Sequence, residues 1–326
     1  MLIVTLSSVA LQYSSQYSSS SNDIEGWAAI LEMNNFPEGW TDMPMDFINS
    51  EMVSNTLMEL GWQSDHIYVK HDNLTMWNVK EAVEWLANNT RVNDVALLYI
   101  STHGSWMRGE ILWNQWFPSA WQEVNTPRRI LMIDTCSAGE FTEPVRNDPE
   151  PHVSLGHCSA GEVGWAGLEE EGLPIIGGVW TYYFTNALFN STADSDKNRF
   201  VSVEEAFDFS TPSVQKYMNE TVFAVPEFLE MYHDIGIYPE NYDAYPHPVM
   251  DDQYPGQLYL DLQYYNLLSD LNNDGIVNIR DITIVALAFG SKPGDNNWNL
   301  TADLNSDEVI DIRDITIVAL EFGKTA

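Results

Sequence analysis

The chain has 326 residues, a hydrophobic content of 44% and a formal net charge of −34 from 48 acidic and 14 basic residues. This hydrophobic content can fill a folded core, so wholesale disorder is excluded. The charge argues against binding to nucleic acids or anionic membranes, which need clustered lysine and arginine. Two cysteines are too few for a disulfide scaffold or a cysteine-rich zinc site. Calcium ligands, a high-salt or acid-tolerant habitat, and solubility all remain open as reasons for the acidity.

Residues 1–22 precede the first predicted element. Met1 to Ala10 is short and apolar, and Ser8-Val9-Ala10 is similar to a signal-peptidase site, but no basic residue stands before it. We interpret this stretch as the remnant of a secretion signal followed by a serine-rich tether; a frayed terminus explains it equally well. The first interpretation predicts an extracellular or cell-surface protein. No run reaches the 18 or more apolar residues of a membrane-spanning helix.

Strands and helices alternate through the next part of the chain. Apolar periodicity predicts strands at 26–33, 66–70, 95–101 and 129–134, and helices at 45–60 and 75–88. The runs at 95–101 and 129–134 are almost continuously apolar, which is typical of central parallel strands buried on both faces. The alternation predicts an α/β fold with helices on both sides of an open sheet. Ligands bind such sheets at the carboxyl ends of the strands.

Chemically capable residues follow the two central strands. His103 and Gly104 come after the strand at 95–101, and Cys136 comes after the strand at 129–134. A histidine can deprotonate a thiol, and the backbone amides of Gly104 and Cys136 can stabilise an oxyanion. Taken singly, a cysteine at a strand end is more often a core residue and His-Gly more often a turn. Their joint placement on successive buried strands favours Cys136 as nucleophile and His103 as general base.

These motifs resemble the caspase–legumain superfamily of cysteine peptidases. The segments 154–165, 178–188 and 247–260 resemble, in turn, the strand that lines its substrate pocket, the helix after that strand, and its closing strand. The resemblance covers about residues 23–262. It implies a caspase-like three-layer sandwich with a mostly parallel sheet, and the activity of a cysteine endopeptidase.

The superfamily resemblance also suggests which residues bind substrate. In these enzymes the pocket for the P1 side chain is floored by the residue two before the cysteine, here Asp134. Ser159 and Glu162 are candidates for its wall. Carboxylates without a paired cation favour Arg or Lys at P1. A legumain-like preference for Asn or Asp is the alternative, and Asp134 could instead cap a helix amide.

A segment near residue 200 places oxygen atoms at the spacing of an EF-hand loop. The candidate calcium ligands are Asp194, Asp196, Asn198, Phe200 through its carbonyl, Ser202 and Glu205. Arg199 replaces the usual turn glycine. A calcium switch, a structural calcium site and a plain acidic turn are all compatible with this pattern.

The C-terminal part contains an internal repeat with a period of 33 residues, and residues 279–287 recur unchanged as 312–320. Each copy offers oxygen ligands for a hard cation, followed by a helix with one apolar face. The ligands are Asp270, Asn272, Asp274, Ile276, Asn278 and Asp281 in loop 1, and Asp303, Asn305, Asp307, Val309, Asp311 and Asp314 in loop 2. Glu308 occupies a turn position in loop 2 that favours glycine, which predicts strain there.

Residues 266–326 resemble the type I dockerin module. The resemblance implies a small all-α domain that folds on two calcium ions and binds a cohesin domain on a scaffold or cell surface. Its partner-binding residues would be Ile279, Arg280, Ile312 and Arg313, and their repetition would permit two docking orientations. The whole sequence therefore predicts a secreted cysteine endopeptidase with a cohesin-binding anchor. An inactive adaptor with the same folds, and a hydrolase of another class, are the rival hypotheses.

Overall fold

The computed structural model describes residues 24–43, 45–272, 276–305 and 307–324. The predictions for residues 1–22 lie outside the described residues. The helices and strands up to residue 266, in chain order, are β1 (Gly26–Glu32), α1 (Ile48–Glu59), β2 (Ile67–His71), α2 (Met76–Asn89), β3 (Val95–Ser101), α3 (Gly104–Gly109), α4 (Trp113–Trp121), β4 (Arg128–Asp134), α5 (Ala138–Thr142), β5 (His152–Gly156), β6 (Ala166–Gly167), β7 (Gly177–Gly178), α6 (Val179–Ala187), α7 (Val203–Tyr217), α8 (Pro226–Asp234), β8 (Val249–Asp252) and α9 (Leu262–Asn266).

Six strands form one sheet in the order β2-β1-β3-β4-β5-β8. The first five are parallel to one another, and β8 pairs antiparallel with β5 at the edge. In register, Ser101 at the end of β3 lies opposite Asp134 at the end of β4. The carboxyl ends of β1, β3, β4 and β5 therefore meet at one edge of the sheet.

Alternate residues of each strand enter two separate cores. One core contains Ala28, Leu97, Ile130 and Val153 together with apolar residues of α1, α6 and α7. The other contains Ala29, Leu98 and Leu131 together with residues of α2, α4 and α5. Because both faces of the sheet are covered by helices, its central strands are apolar throughout. The predicted α/β class and the three-layer arrangement are confirmed.

The predicted elements differ from the observed ones mainly at their ends. The helix expected at 45–60 begins only at Ile48, because Asp46 and Phe47 adopt left-handed backbone conformations (φ 48° and 60°) that a helix cannot contain. The pocket-lining strand suggested by residues 154–165 is β5, which ends at Gly156. The closing strand suggested by 247–260 is the four-residue β8.

The C-terminal part has its own core. Helices α10 (Ile279–Ala288) and α11 (Ile312–Leu320) bury Val285 and Val318 in a cluster that also includes Ala302 and Ile310. Residues 258–265 pack instead with the larger core, where the Trp62 indole N–H donates to the Leu260 carbonyl at 2.7 Å. This packing is compatible with the predicted division near residues 262–266, which stays a prediction. No helix among the described residues is long and apolar enough to span a membrane.

Candidate active site and calcium loops

The ends of β3 and β4 carry the predicted dyad. His103 is the cap residue before α3, two residues beyond β3, and Cys136 lies two residues beyond β4. Both side chains are half-buried and line one cavity of about 320 Å³. The structure therefore brings together the two side chains that the sequence analysis selected.

The orientation of His103 depends on Thr41, a residue that the sequence analysis did not select. Its Nε2 lies 2.8 Å from the backbone carbonyl oxygen of Thr41. Since a carbonyl can only accept, Nε2 carries the proton and Nδ1 is left to accept one in the neutral ring. The ring also lies against Phe36, with 4.6 Å between centroids. Because Thr41 contributes only its backbone, no side-chain pattern could have revealed it.

Gly104 brings the two halves of the site into close contact. A Cβ atom at this position would collide with the backbone carbonyl oxygen of Cys136. Only glycine allows the first turn of α3 to approach the cysteine segment this closely. Burial raises the pKa of the Cys136 thiol, while nearby His157 and a hydrogen bond from the Gly164 amide act in the opposite direction.

Asp134 does line the cavity, but its carboxylate is already paired. His157 Nδ1 hydrogen-bonds Asp134 Oδ1, and the Thr181 hydroxyl donates to Oδ2. The side chains of His157 and Asp134 are only 7% and 4% exposed. The premise that no cation is paired with Asp134 is therefore wrong. The signal that could have revealed the pair is adjacency, because Asp134 ends β4 and His157 directly follows β5, the neighbouring parallel strand.

Ser159 and Glu162 lie outside the lining of this cavity. Glu162 accepts hydrogen bonds from the Ser159 and His247 amides (3.1 and 2.9 Å), and its Oε1 lies 2.5 Å from His247 Nδ1. The Ser159 hydroxyl donates to the His247 carbonyl at 3.1 Å. These contacts connect the loop after β5 to the segment before β8. The structure does not bring these two residues together with Asp134 in the cavity.

The rest of the cavity is largely apolar with an acidic part. Met43, Met45, Trp165, Leu168, Met231 and Ile235 supply its apolar lining. Its ionisable lining consists of Asp42, Asp134 and Glu171 on the acidic side, and of His103, His157, Cys136 and Tyr232. Three carboxylates therefore line the cavity, and one of them, Asp134, is paired with an imidazole, that of His157.

Loop 2 of the C-terminal repeat has the backbone of a cation-binding loop. Asp303 accepts hydrogen bonds from the amides of Asp307 and Glu308 (3.2 and 2.9 Å). Asp314 is fully buried and accepts from the amides of Leu304 and Asp311 (2.9 and 2.7 Å). Glu308 has φ 62°, so the expected left-handed turn residue is present without a glycine. An all-oxygen donor set of this kind fits calcium.

Loop 1 shows the same arrangement where the structure describes it. Asp281 is fully buried and accepts from the amides of Asn272 and Asn278 (3.0 and 2.7 Å), and Asp270 is also buried. Asp274 lies outside the described residues. The oxygen donors that the structure does describe in this loop fit calcium as well.

The candidate loop in the larger domain matches loop 2 position by position. Asp194 accepts hydrogen bonds from the amides of Asn198 and Arg199 (3.1 and 2.9 Å), the fifth and sixth residues of its loop. Asp303 accepts from the fifth and sixth residues of loop 2 in the same way. Glu205 accepts from the amides of Ser195 and Ser202 (2.8 and 3.0 Å), as Asp314 does in loop 2. Arg199 has φ 80° at the position of Glu308. Ligand oxygens of Asp194, Asp196 and Glu205 all lie within 4.8 Å of one another.

The predicted partner-binding residues begin the two repeat helices. Ile279 and Ile312 are 63% and 62% exposed, so both apolar side chains are accessible to a partner. Arg313 pairs with Asp307 and Asp311 at 2.6 and 2.7 Å. The repeated helices therefore present similar apolar positions to solvent.

Comparison with known families agrees with this architecture. The family model for the caspase domain matches residues 25–214, which is more than half of the chain, and the model for the dockerin type I domain matches residues 268–322. A search of curated proteins finds no match. The chain belongs to the caspase family and carries a type I dockerin domain. It therefore has a caspase-like peptidase domain, and its dockerin domain implies a cohesin partner; type I dockerins in general bind calcium.

Proposed function

We propose that this protein is a secreted cysteine endopeptidase in which Cys136 is the nucleophile and His103 the general base. The observation that carries the proposal is the shared cavity at the ends of β3 and β4, which both side chains line. The Thr41 carbonyl supports it further, because it holds the His103 ring in the tautomer that can accept a proton.

In the proposed reaction, His103 Nδ1 takes the thiol proton as the Cys136 sulfur attacks the carbonyl carbon of the scissile bond. The Gly104 and Cys136 amides stabilise the oxyanion that forms. When the C–N bond breaks, the proton on His103 passes to the leaving amine. Water then attacks the thioester with His103 again as base, which releases the acid and restores the thiol.

We propose cleavage after Arg or Lys. With Asp134 paired to His157, the preference depends on the excess of carboxylates in the cavity, to which Asp42 and Glu171 contribute. A cationic side chain is attracted to such a cavity because its carboxylates outnumber its cations. Cleavage after Asn or Asp is the alternative.

The test is hydrolysis of matched fluorogenic peptides with Arg, Lys, Asn or Asp at P1, with calcium and with a chelator. Cys136→Ala and His103→Ala should each abolish turnover. His233→Ala is the control, since that imidazole is on α8, outside the cavity lining, and pairs with Glu240 at 2.9 Å. Cleavage after Asn or Asp contradicts the proposed specificity. No cleavage of any peptide favours the adaptor hypothesis.

We further propose that the dockerin domain binds two calcium ions and that the loop at 194–205 binds a third. The match between this loop and loop 2 supports the third site. Asp194, Asp196 and Glu205 would supply side-chain ligands, and calcium there would neutralise their mutual repulsion. Burial and the neighbouring carboxylates raise the pKa of Asp196, as expected for acids held together without a cation.

Calorimetric titration of the full chain with calcium tests the number of sites. Asp194→Asn should remove one site and leave the dockerin pair unchanged. Asp208→Asn, in the same region of the chain but outside the loop, should remove none. An unchanged stoichiometry in Asp194→Asn excludes the third site. Binding of a cohesin domain, with and without chelator, tests attachment through Ile279 and Ile312.

A further inference from the structure

A buried carboxylate–imidazole pair lies behind the candidate nucleophile. Ile133 and Gly156 are register partners on β4 and β5, so Asp134, which ends β4, and His157, which follows β5, lie side by side at the edge of the sheet. Their hydrogen bond joins Oδ1 to Nδ1. Both side chains are more than nine-tenths buried.

Asp134 has little freedom to turn toward a substrate. Its second oxygen accepts from the Thr181 hydroxyl and from the Tyr99 hydroxyl at 3.3 Å. The backbone of Gly178 lies so close to that oxygen that a Cβ atom there would collide with it. Oδ1 is therefore engaged by His157, and Oδ2 is engaged by Thr181 and Tyr99. Of these partners, His157 is the one that can carry a positive charge.

The other end of the imidazole faces the segment that touches the thiol. His157 Nε2 is buried and has no hydrogen-bond partner among the described residues. Gly164 covers it so closely that a Cβ atom would have no room. The amide of this same Gly164 hydrogen-bonds the Cys136 sulfur. The His157 ring therefore lies between the Asp134 carboxylate and the segment that contacts the nucleophile.

The charges of the pair act on the thiol in opposite directions. Burial disfavours a charged imidazole, but Cys158 and Asp134 outweigh burial and hold the pKa of His157 well above its usual value. Burial is likewise outweighed at Asp134, whose pKa is lowered by His157. His157 lowers the pKa of Cys136 more strongly than Asp134 raises it. The positive charge of His157 thus acts on the sulfur more strongly than the negative charge of Asp134.

The groups facing the pair come from several elements. Asp134 ends β4, Cys136 follows that strand, and Cys158 follows His157 itself. Tyr99 lies in β3, and Glu32, at the end of β1, feels the charge of Asp134. Tyr232 of α8 and Tyr245 feel the charges of the two thiols. Of these, His157 is the group that favours a thiolate at Cys136.

We propose that His157, held as an imidazolium by Asp134, is a positioning residue that stabilises the Cys136 thiolate. This inference depends on the proposed role of Cys136. His103 takes the thiol proton and returns it to the leaving amine, whereas His157 keeps its own proton throughout the cycle. The pair thus offsets the cost of ionising a thiol in a buried site.

The test measures the rate of alkylation of Cys136 by iodoacetamide against pH, in the full chain, with peptide mapping to separate Cys136 from Cys158. His157→Gln and Asp134→Asn should each move the alkylation profile to higher pH and lower the rate at neutral pH by about tenfold, equivalent to one pKa unit. The double variant should be no slower than either single variant. His152→Gln changes another buried histidine, at the other end of β5, and should leave the profile unchanged.

Two outcomes overturn the proposal. In one, His157→Gln melts at a lower temperature but keeps the wild-type alkylation profile, which makes the pair merely structural. In the other, Asp134→Asn keeps the profile but raises KM for peptides with Arg or Lys at P1, which makes Asp134 a substrate contact. If His157→Gln does not fold, Asp134→Asn decides alone. Alkylation requires no turnover, so this test stands even if no peptide is cleaved.

Discussion

Gly104→Ala is the most direct test of whether the segments after β3 and β4 form one working site. A Cβ atom built on Gly104 would lie 2.1 Å from the Cys136 carbonyl oxygen, whereas real Cβ contacts essentially never fall below 3.0 Å. The obstructing atom belongs to the backbone, so no side-chain rotation can relieve the clash. The segment that carries His103 and the segment that carries Cys136 must therefore move apart.

The size of this movement sets the expected loss. A displacement of about 1 Å between reacting groups costs on the order of 100-fold in rate. Overpacking a buried contact costs roughly 1–3 kcal/mol in stability. We therefore expect Gly104→Ala to remain folded, to melt at a lower temperature, and to lose about 100-fold in kcat/KM.

The assay is kcat/KM on the best peptide substrate, together with the melting temperature. Gly109→Ala is the matched control, because it ends the same helix and a Cβ atom there would meet nothing within 4 Å. We expect that control to keep full activity and to be slightly stabilised by the better helix former. If Gly104→Ala retains activity within about threefold of the wild type, the close approach of the two segments does not matter for catalysis and our reasoning is wrong.

Three further predictions concern stability and calcium. Glu308→Gly should relieve the left-handed backbone strain in loop 2 by about 1 kcal/mol and tighten calcium binding about fivefold in calorimetry. Glu308→Ala is the control, because alanine keeps the strain. Equal gains in calcium affinity for both variants would refute this explanation. Burial raises the pKa of Glu204 to about 7, so the folded chain holds this proton more tightly than the unfolded chain, and the resulting stability is present below about pH 4 and lost as the pH rises through 7. After allowance for solvent screening, Glu204→Gln should remove about 2 kcal/mol of that decline, and an unchanged slope of stability between pH 5 and 8 would contradict it. Asp148→Ala should lower the free energy of unfolding in urea by about 3–5 kcal/mol, because it leaves Arg129 charged, buried and without its carboxylate. Glu143→Ala, which breaks an exposed ion pair, should lower it by less than about 1 kcal/mol. Similar losses in the two variants would show that burial is not the cause.

Local patterns were informative where a residue's environment is decided by its immediate neighbours. The strand predicted at 95–101 has the observed bounds, because a strand covered on both faces must be apolar at every position. The helix predicted at 75–88 is α2, displaced by one residue because Thr75 caps it with its side chain instead of belonging to it. The same reasoning was weaker around 154–165, where only the first few residues pair with neighbouring strands and the remainder forms a loop.

The sequence by itself determined the fold class, the positions of His103 and Cys136 at strand ends, and the two calcium-type loops of the dockerin, because each depends on periodicity or spacing along one short segment. Only the tertiary structure decided what surrounds these residues. The Thr41 carbonyl reaches His103 across 62 positions, and His157 reaches Asp134 across 23. Contacts of this kind arise when separate strands end at one edge of a sheet, and a backbone carbonyl or a neighbouring imidazole has no local signature. Because of such contacts, Asp134, which the sequence analysis placed at the floor of the P1 pocket without a paired cation, is the buried partner of a second histidine.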